Sequence, residues 1–460
     1  MVHDIVHPMR TNLWIVVLFL ISTLHGVAAD KGELQQRRQR AAAAFHDGIL
    51  LVHARSALDN TGDGFRQDPA FYYFTGLENT ASALLAIDGP TGQTWLFLSL
   101  PAQSSGLVES MGSRSTKSLQ PEVSPDSEAA ARLGIGHVEE WSKLSEFLAQ
   151  RGSSSTTLYY VAQRFSLEEL PPSVANGKIP EAPPLWAIAI AKQRPSFQLK
   201  GVADRVYALM AVQSESEIAA LRAAGKVTVA AVMAGMRAIR PRVSKRSVEV
   251  AVENTCWQQG AHGVSFWPWA MAGDNGVFPR PWASLLRYDH LNTVMQAGDL
   301  VRLDVGCEWE HYQGDLGRTV PVSGRYSDKQ REVWNIFVAA YRAGVQSLRE
   351  GTTVDQVFEA WRSELLNHRS SAKTSVAQHA IDKWSKRENV PFWGPNTINL
   401  DAGNIDGPLR TGMTIAFEPI AEIGGQGYYL EDMFLITRNG AELLTPRVPY
   451  SAEEIEAAMR

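Results

Sequence analysis

Residues 298–326 read GDLVRLDVGCEWEHYQGDLGRTVPVSGRY, two apolar runs joined by a short polar stretch. This pattern predicts a β-hairpin centred on Trp309 and Glu310. Asp304 and Asp315 would then lie directly opposite each other and project to the same face, with Cβ atoms about 5 Å apart. Two carboxylates at that separation repel, so a half-buried pair needs a compensating cation.

A second stretch, residues 412–440, has the same layout and reads GMTIAFEPIAEIGGQGYYLEDMFLITRNG. Its midpoint falls on Gly424 and Gly425, a dipeptide that favours a hairpin turn. Glu418 and Glu431 are therefore predicted to face each other across the pair. Four such carboxylates favour hard divalent cations such as Mg²⁺ or Mn²⁺, and paired ions about 3.5–4 Å apart activate water in hydrolases. Ordinary solvent-facing strand acids are the alternative.

The chain begins with features of a secretory signal. A positively charged residue precedes an apolar run at 13–24, and small residues follow at 27–29. This layout predicts a signal peptide over residues 1–29 and a secreted or periplasmic protein. An uncleaved anchor is the alternative, and we expect no membrane association after signal removal. Export permits disulfides, but Cys256 and Cys307 are predicted to be two buried free thiols rather than one bridge.

The length of 460 residues exceeds what one hydrophobic core usually serves, so two or more domains are expected. Short apolar runs alternate with helical stretches in residues 30–200, which predicts an α/β domain. Residues 201–460 combine amphipathic helices, the first at 214–240, with strands, which predicts an α+β domain. The net charge is −5 and no stretch of lysine and arginine dominates, so no nucleic-acid partner is expected.

These motifs resemble those of the Xaa-Pro aminopeptidase (aminopeptidase P) and prolidase family. GFRQDPAFYYFTGLE at 64–78 is similar to the signature of the family's N-terminal domain, and SESEIAALRAAGKVT at 214–228 is similar to the helix that opens its catalytic domain. The resemblance extends over nearly the whole chain after the signal. It implies an α/β creatinase-like N-terminal domain, an α+β pita-bread catalytic domain and a homodimer.

The resemblance also implies one or two divalent ions, commonly manganese. Four of the five family ligands correspond to the acids identified above: Asp304, Asp315, Glu418 and Glu431. Asp315 and Glu431 would bridge the ions, and Glu418 would in addition act as the general base. The fifth ligand, a histidine in the family, corresponds to Asn396 in the segment FWGPNTINLDAG at 392–403.

The other histidines of the family are also replaced. Phe392 and Gly403 stand at two of their positions, and Arg287 stands at a third, with His290 three residues later. His311 is either a replacement ligand or an exposed turn residue, and the second is favoured. An amide oxygen binds transition metals less well than imidazole, so one tight ion and one weak or absent ion are expected. Arg287 stays protonated and is a candidate to bind a substrate carboxylate or an oxyanion.

Together these features predict an exported metal-dependent hydrolase that uses activated water to cleave a peptide or amide bond. In the family the substrate is a peptide with proline at its second residue. The alternative is a catalytically impaired pseudo-peptidase that binds peptide or protein; the lost histidines favour it, and the retained acids oppose it because buried acids are costly without a cation. A metal-free creatinase-like hydrolase is disfavoured, since that chemistry needs histidine. Several aromatic residues either line the cleft or pack in the core: Phe266, Trp267, Trp269, Trp282, Phe392 and Trp393.

Overall fold

The structure is a computed structural model. It describes residues 29–56, 65–99, 122–151, 156–161, 183–390, 396–397, 403–404, 407–445 and 448–460, with the side chains of 396–397 and 403–404 left out. The predicted signal up to residue 28 and the aromatic residues Phe392 and Trp393 lie outside the described part.

The N-terminal part is an α/β layer, as predicted. Its six described strands form one mixed sheet in the order β4-β3-β2-β1-β5-β6. The strands are β1 Gly48–His53, β2 Leu84–Asp88, β3 Thr94–Leu98, β4 His137–Glu140, β5 Thr157–Tyr160 and β6 Gln198–Gly201. The helices are α1 Lys31–Ala44, α2 Pro69–Thr75, α3 Ser127–Leu133, α4 Leu144–Arg151, α5 Leu185–Gln193 and α6 Ala203–Met210.

The C-terminal part places helices on a second sheet. Its described helices are α7 Glu215–Ala238, α8 Lys245–Gln258, α9 Arg280–Leu285, α10 Asp328–Ser347, α11 Val354–Asn367, α12 Ser375–Trp384 and α13 Ala452–Ala458. The strands are β7 Trp269–Ala272, β8 Leu300–Val305, β9 Glu308–Trp309, β10 Tyr312–Gln313, β11 Leu316–Pro321, β12 Asn396–Thr397, β13 Gly403–Asn404, β14 Thr414–Phe417, β15 Ile420–Ile423, β16 Gln426–Thr437 and β17 Gly440–Leu443. The sheet runs β13-β12-β14-β16-β11-β8-β7, with β15 and β17 also paired to β16. The predicted α+β class is confirmed.

Helix α7 begins where the sequence indicates. Ser214 caps it by accepting from the backbone N–H of Glu217, whose side chain accepts from the N–H of Ser214 in return. Of the described helices, α7 is the one that is long and apolar enough to cross a membrane. However, 56% of its most apolar 18-residue window is buried inside the protein. A core helix passes the same test of length and composition.

The two cysteines form a disulfide, so the prediction of free thiols is wrong. Cys256 in α8 bonds to Cys307 just after β8, and both side chains are fully buried. Helix α8 packs on β7, the strand that pairs with β8, and the Cα atoms of the two cysteines lie 5.6 Å apart, within bridging range. The 51 residues that separate the cysteines carry no local signal of this contact.

The N-terminal domain contacts the catalytic domain through two ion pairs, one half-buried and one fully buried. Arg66 pairs with Glu308 at 2.6 Å, and Arg37 pairs with Glu217 at 3.2 Å. The hydroxyl of Tyr312 donates to Glu217 at 3.3 Å. The N-terminal domain therefore contacts β9 directly, through Glu308, and β10 indirectly, through the Glu217 that holds Tyr312.

Candidate metal centre

The first hairpin has a different register from the predicted one. Asp304 in β8 pairs with Gly317 in β11, and Trp309 pairs with Tyr312. The two turn residues are therefore Glu310 and His311, one residue later than predicted, which moves the partner of Asp304 by two. The direct pairing of Asp304 with Asp315 is thus wrong. Both acids still share a face, because residues two apart on a strand project to the same side.

The second hairpin has the predicted register. Strand β14 pairs with β16 up to Phe417 opposite Asp432, and β15 resumes with Ile420 opposite Tyr429. Glu418 therefore stands opposite Glu431. Gly424 and Gly425 form the turn with φ values of 59° and 72°, a conformation that glycine adopts without strain.

A glycine lets acids from three neighbouring strands converge. Gly317 pairs with Asp304 on one side and with Glu431 on the other. The space over Gly317 is filled by the ring of Tyr429, and a Cβ atom built on Gly317 would lie 1.8 Å from the Cε1 atom of that ring. Gly317 thus leaves room for the Tyr429 ring, which lies over the strand between Asp304 and Glu431 and donates its hydroxyl to Glu431.

The convergence forms a candidate cation site. One carboxylate oxygen from each of Asp304, Asp315 and Glu431 lies within 4.8 Å of the other two. Glu431 is fully buried, and its Oε1 has no hydrogen-bond partner among the described residues. A set of carboxylate oxygens with a buried unpartnered acceptor fits a hard divalent cation. Glu418 is 8% exposed, and its charge acts on Asp315.

The acids hold their protons strongly without a cation. Burial raises the pKa of Asp304 to about 6, although the positive charge of Arg302 and the nearby hydroxyl of Tyr429 act in the opposite direction. Burial and the charges of Asp304 and Glu418 raise the pKa of Asp315 well above its ordinary value. An ion bound here must therefore displace protons.

The pKa of Glu431 is raised in the same way, by burial and by the charges of Asp315 and Asp304. Carboxylate oxygens of Asp315 and Glu431 lie within 4.8 Å of each other, so two full negative charges there repel strongly. This pair is the part of the centre that most needs a cation in order to ionise.

Sequence reasoning missed two residues of the centre. The hydroxyl of Tyr429 donates to Oε2 of Glu431 at 2.5 Å. Arg302 is 4% exposed, and its Nη2 lies 4.0 Å from Oδ2 of Asp304. Each stands two positions before an acid on the same strand, so the alternation of side chains along a strand was the available signal.

A buried network on the opposite face holds the strands in place. Arg318 donates to the carbonyls of Gly317 and Glu431 at 2.7 and 2.6 Å and to Oδ1 of Asp432 at 2.8 Å. The hydroxyl of Tyr341 donates to the other carboxylate oxygen of Asp432. These hydrogen bonds connect β11 to β16 on the face of the sheet opposite the acids.

The replaced histidine positions are only partly described. Arg287 lies two residues after α9 with 56% of its side chain exposed, and it binds Asp289 with two hydrogen bonds. Asn396 belongs to β12, whose backbone pairs with Ala416 in β14, and its side chain is outside the described part. The structure therefore does not place Arg287 or the Asn396 side chain among the acids.

The two nearby histidines contact other groups. His311 packs on the ring of Tyr72 at 4.1 Å, and its Nε2 lies 3.7 Å from Glu78. The ring of His290 packs on Trp267 at 4.4 Å. Among the residues that the structure describes, the cation site consists of carboxylates alone.

Aromatic side chains line one side of the centre. Trp269 pairs with Asp304 across β7 and β8. Its ring packs against Trp267 at 5.2 Å and against Trp282 at 6.2 Å, and Trp282 is 50% exposed. These three tryptophans, here called the aromatic wall, are partly open to solvent rather than sealed in the core.

Comparison with known proteins identifies the two parts. Residues 219–438 match the metallopeptidase family M24, and residues 34–159 match the N-terminal domain of aminopeptidase P. The Xaa-Pro aminopeptidase of Escherichia coli is 25% identical over 93% of this chain and 97% of its own length. The human Xaa-Pro aminopeptidase 3 is 23% identical over 85% of this chain and 76% of its own.

Solved structures share the two-domain fold. Aminopeptidase P from E. coli with the inhibitor Pro-Leu superposes with a TM-score of 0.71 at 24% identity, covering 94% of this chain and 98% of that one. Proline aminopeptidase P II from Yersinia pestis gives a TM-score of 0.72 at 22% identity over 94% and 99%. Matched domains, relatives along nearly the full length and a shared fold agree: this chain belongs to the aminopeptidase P family of M24 metallopeptidases.

Proposed function

We propose that this protein is a metal-dependent Xaa-Pro aminopeptidase, which removes the first residue from peptides whose second residue is proline. The observation that carries the proposal is the convergence of Asp304, Asp315 and Glu431 within 4.8 Å in a chain of this family. The names of the relatives supply the substrate class.

The acids take distinct roles in the proposed reaction. Asp304, Asp315 and Glu431 hold the cation, for which we propose Mn²⁺, and Asn396 contributes an amide oxygen. A bound divalent ion polarises the scissile carbonyl and lowers the pKa of a water molecule. Glu418, nearly buried beside Asp315, takes the proton of the attacking water at its carboxylate and passes it to the leaving nitrogen.

The aromatic wall supports an apolar substrate ring. Trp269 stands opposite Asp304, and Trp282 packs on it at the solvent side. A proline ring placed against these faces would be partly desolvated while its peptide bond meets the acids. The Pro-Leu inhibitor of the E. coli structure is consistent with such a ring in this fold.

Arg287 is proposed to bind a substrate carboxylate. It follows α9, the helix that carries Trp282, and its exposed guanidinium already holds the carboxylate of Asp289 with two hydrogen bonds. A peptide carboxylate would replace Asp289 in the same geometry. Arg287→Ala is expected to raise KM for dipeptides with little change in kcat, and unchanged kinetics would remove Arg287 from the site.

The test is turnover by the purified full chain with added Mn²⁺ on peptides that differ only in having proline or alanine at the second residue. We expect release of the first residue from the proline peptides. Asp315→Ala should abolish it, whereas the control Asp382→Asn, an exposed acid on α12 that pairs with Arg369, should not. Metal binding without turnover would favour the pseudo-peptidase, a peptide-binding module.

We further propose that the protein is exported. The disulfide between Cys256 and Cys307 supports this location, because such bonds persist in oxidising compartments. Cell fractionation should find the protein outside the cytoplasm. Thiol labelling should leave both cysteines unmodified, because they are joined in the disulfide. Cytoplasmic protein with reactive thiols would contradict the proposal.

A further inference from the structure

Arg302 is a buried cation beside the carboxylates, and it lacks the hydrogen bonds that normally accompany burial. Its Nε and Nη1 atoms are shielded from solvent and have no partner among the described residues. Its guanidinium faces aromatic rings, at 5.3 Å from Tyr429, 5.4 Å from Phe278 and 5.9 Å from Trp269. Rings at these distances attract a cation weakly and do not replace hydrogen bonds.

The charge that balances Arg302 comes from the metal centre. Asp304 is two residues along the same strand, and its Oδ2 lies 4.0 Å from Nη2 of Arg302. This separation exceeds a hydrogen bond, so the interaction is one of charge rather than of contact geometry. Arginine cannot be deprotonated in a protein, so the positive charge is permanent.

A fixed charge changes how many ions the centre needs. The four acids Asp304, Asp315, Glu418 and Glu431 carry four negative charges when ionised, which two divalent ions would neutralise. With Arg302 in place, one divalent ion leaves a single negative charge, whereas two ions leave a net positive charge in a buried site. Without Arg302 a second ion would bring the net charge from −2 to zero, whereas with Arg302 it only exchanges −1 for +1, so the electrostatic gain from binding a second ion is lost.

We propose that Arg302 takes the place of part of the metal charge and restricts this centre to a single tightly bound divalent ion. The inference rests on the proposed metal-dependent function and deepens it. Arg302 is a positioning residue that acts through Asp304. The loss of a nitrogen ligand at Asn396 is a separate reason to expect a weak second ion, and the variants below distinguish the two causes.

The experiment compares the ion content of the purified full chain with that of Arg302→Met and Arg302→Lys. Methionine keeps the length and suits the apolar surroundings without the charge, and lysine keeps the charge. Each protein is dialysed against a graded series of free Mn²⁺, and bound manganese per chain is measured by elemental analysis. If the methionine variant does not fold, Arg302→Gln makes the same comparison.

We expect one ion in the wild type and in Arg302→Lys over the range in which Arg302→Met takes up two. The affinity of the methionine variant for its second ion should exceed that of the wild type by at least about tenfold. Two ions in the wild type, or one in all three proteins, would overturn the inference and leave the metallopeptidase proposal intact. No bound metal in the wild type would overturn both.

Discussion

The two hairpins that carry the acids have turns with the same backbone conformation but different residue types: glycines in one, and a glutamate and a histidine in the other. Gly424 and Gly425 have φ values of 59° and 72°, and Glu310 and His311 have 49° and 71°. Both turns therefore require positive φ at two consecutive positions. Glycine reaches this region freely, whereas each ordinary residue there costs roughly 1–2 kcal/mol.

Contacts from elsewhere hold the first turn in this conformation. His311 packs on Tyr72 and lies near Glu78, both from the N-terminal domain. Arg66 from the same domain pairs with Glu308, and the disulfide fixes Cys307. The second hairpin is thus specified by its own turn, and the first by the tertiary structure around it.

The largest effect should come from removing one acid on either hairpin. Asp315→Asn and Glu431→Gln each remove a charge from the cation site, and we expect Mn²⁺ affinity to fall at least about 100-fold in both. Isothermal titration with Mn²⁺ measures this. Glu442→Gln, an exposed acid on β17, is the control. Unchanged affinity in one variant would mean that the substituted acid does not bind the ion.

Removing the disulfide should weaken the first hairpin more than any change in the turn of the second. The pair Cys256→Ala and Cys307→Ala opens a loop of 51 residues, and we expect a loss of about 2–4 kcal/mol in the free energy of unfolding. Urea unfolding with and without bound Mn²⁺ measures it, with reduced wild type as the matched comparison. A loss of unfolding free energy smaller than that caused by Gly424→Ala would contradict the stabilising role assigned to the disulfide.

The pH dependence of stability tests both hairpins together. In the ion-free protein the folded pKa of Asp304, about 6, lies above its ordinary value near 4. The folded state therefore retains a proton that the unfolded chain releases. The associated stability is complete below about pH 4 and is lost as the pH rises to about 6.

Unfolding free energies measured with a chelator at pH 5 and pH 7.5 should show a decrease on the order of 2 kcal/mol toward the higher pH. The pKa values of Asp315 and Glu431 shift in the same direction and reinforce the decrease. With Mn²⁺ bound the acids are ionised, so the decrease should vanish. An equal decrease in Asp304→Asn would assign it to other groups.

The smallest effect separates the two turns most directly. Gly424→Ala places a side chain at positive φ with open space around it, and we expect a loss of about 1 kcal/mol. Glu310→Gly relieves strain in the first turn and should gain about 0.5 kcal/mol after the entropy cost of glycine. Thermal unfolding measures both. If both variants changed the stability in the same direction, the proposed difference between the two turns would be contradicted.

This contrast also explains how much the sequence predicts. The glycine turn set the register of Glu418 and Glu431 correctly, and the cap at Ser214 marked the start of α7. The acids could be identified because charge is rare in apolar strands. The register at Asp304 could not be predicted, because glutamate and histidine at positions 310 and 311 carry no signal for a turn with positive φ.

Other features depend on contacts between distant parts of the chain. The bond from Cys256 to Cys307 exists only once α8 and the end of β8 are packed together. Strand alternation places Arg302 on the face of Asp304, but its burial beside Tyr429, Phe278 and Trp269 depends on segments that only folding brings together. The role of Asn396 stays a prediction, because its side chain lies outside the described residues.

The most direct test of the central claim is a crystal structure of the protein grown with Mn²⁺, with the anomalous signal of manganese used to locate the metal. We predict a peak within about 2.0–2.6 Å of carboxylate oxygens from Asp304, Asp315 and Glu431. A peak bound by other residues, or well-ordered acids that point apart with no peak between them, would contradict the account.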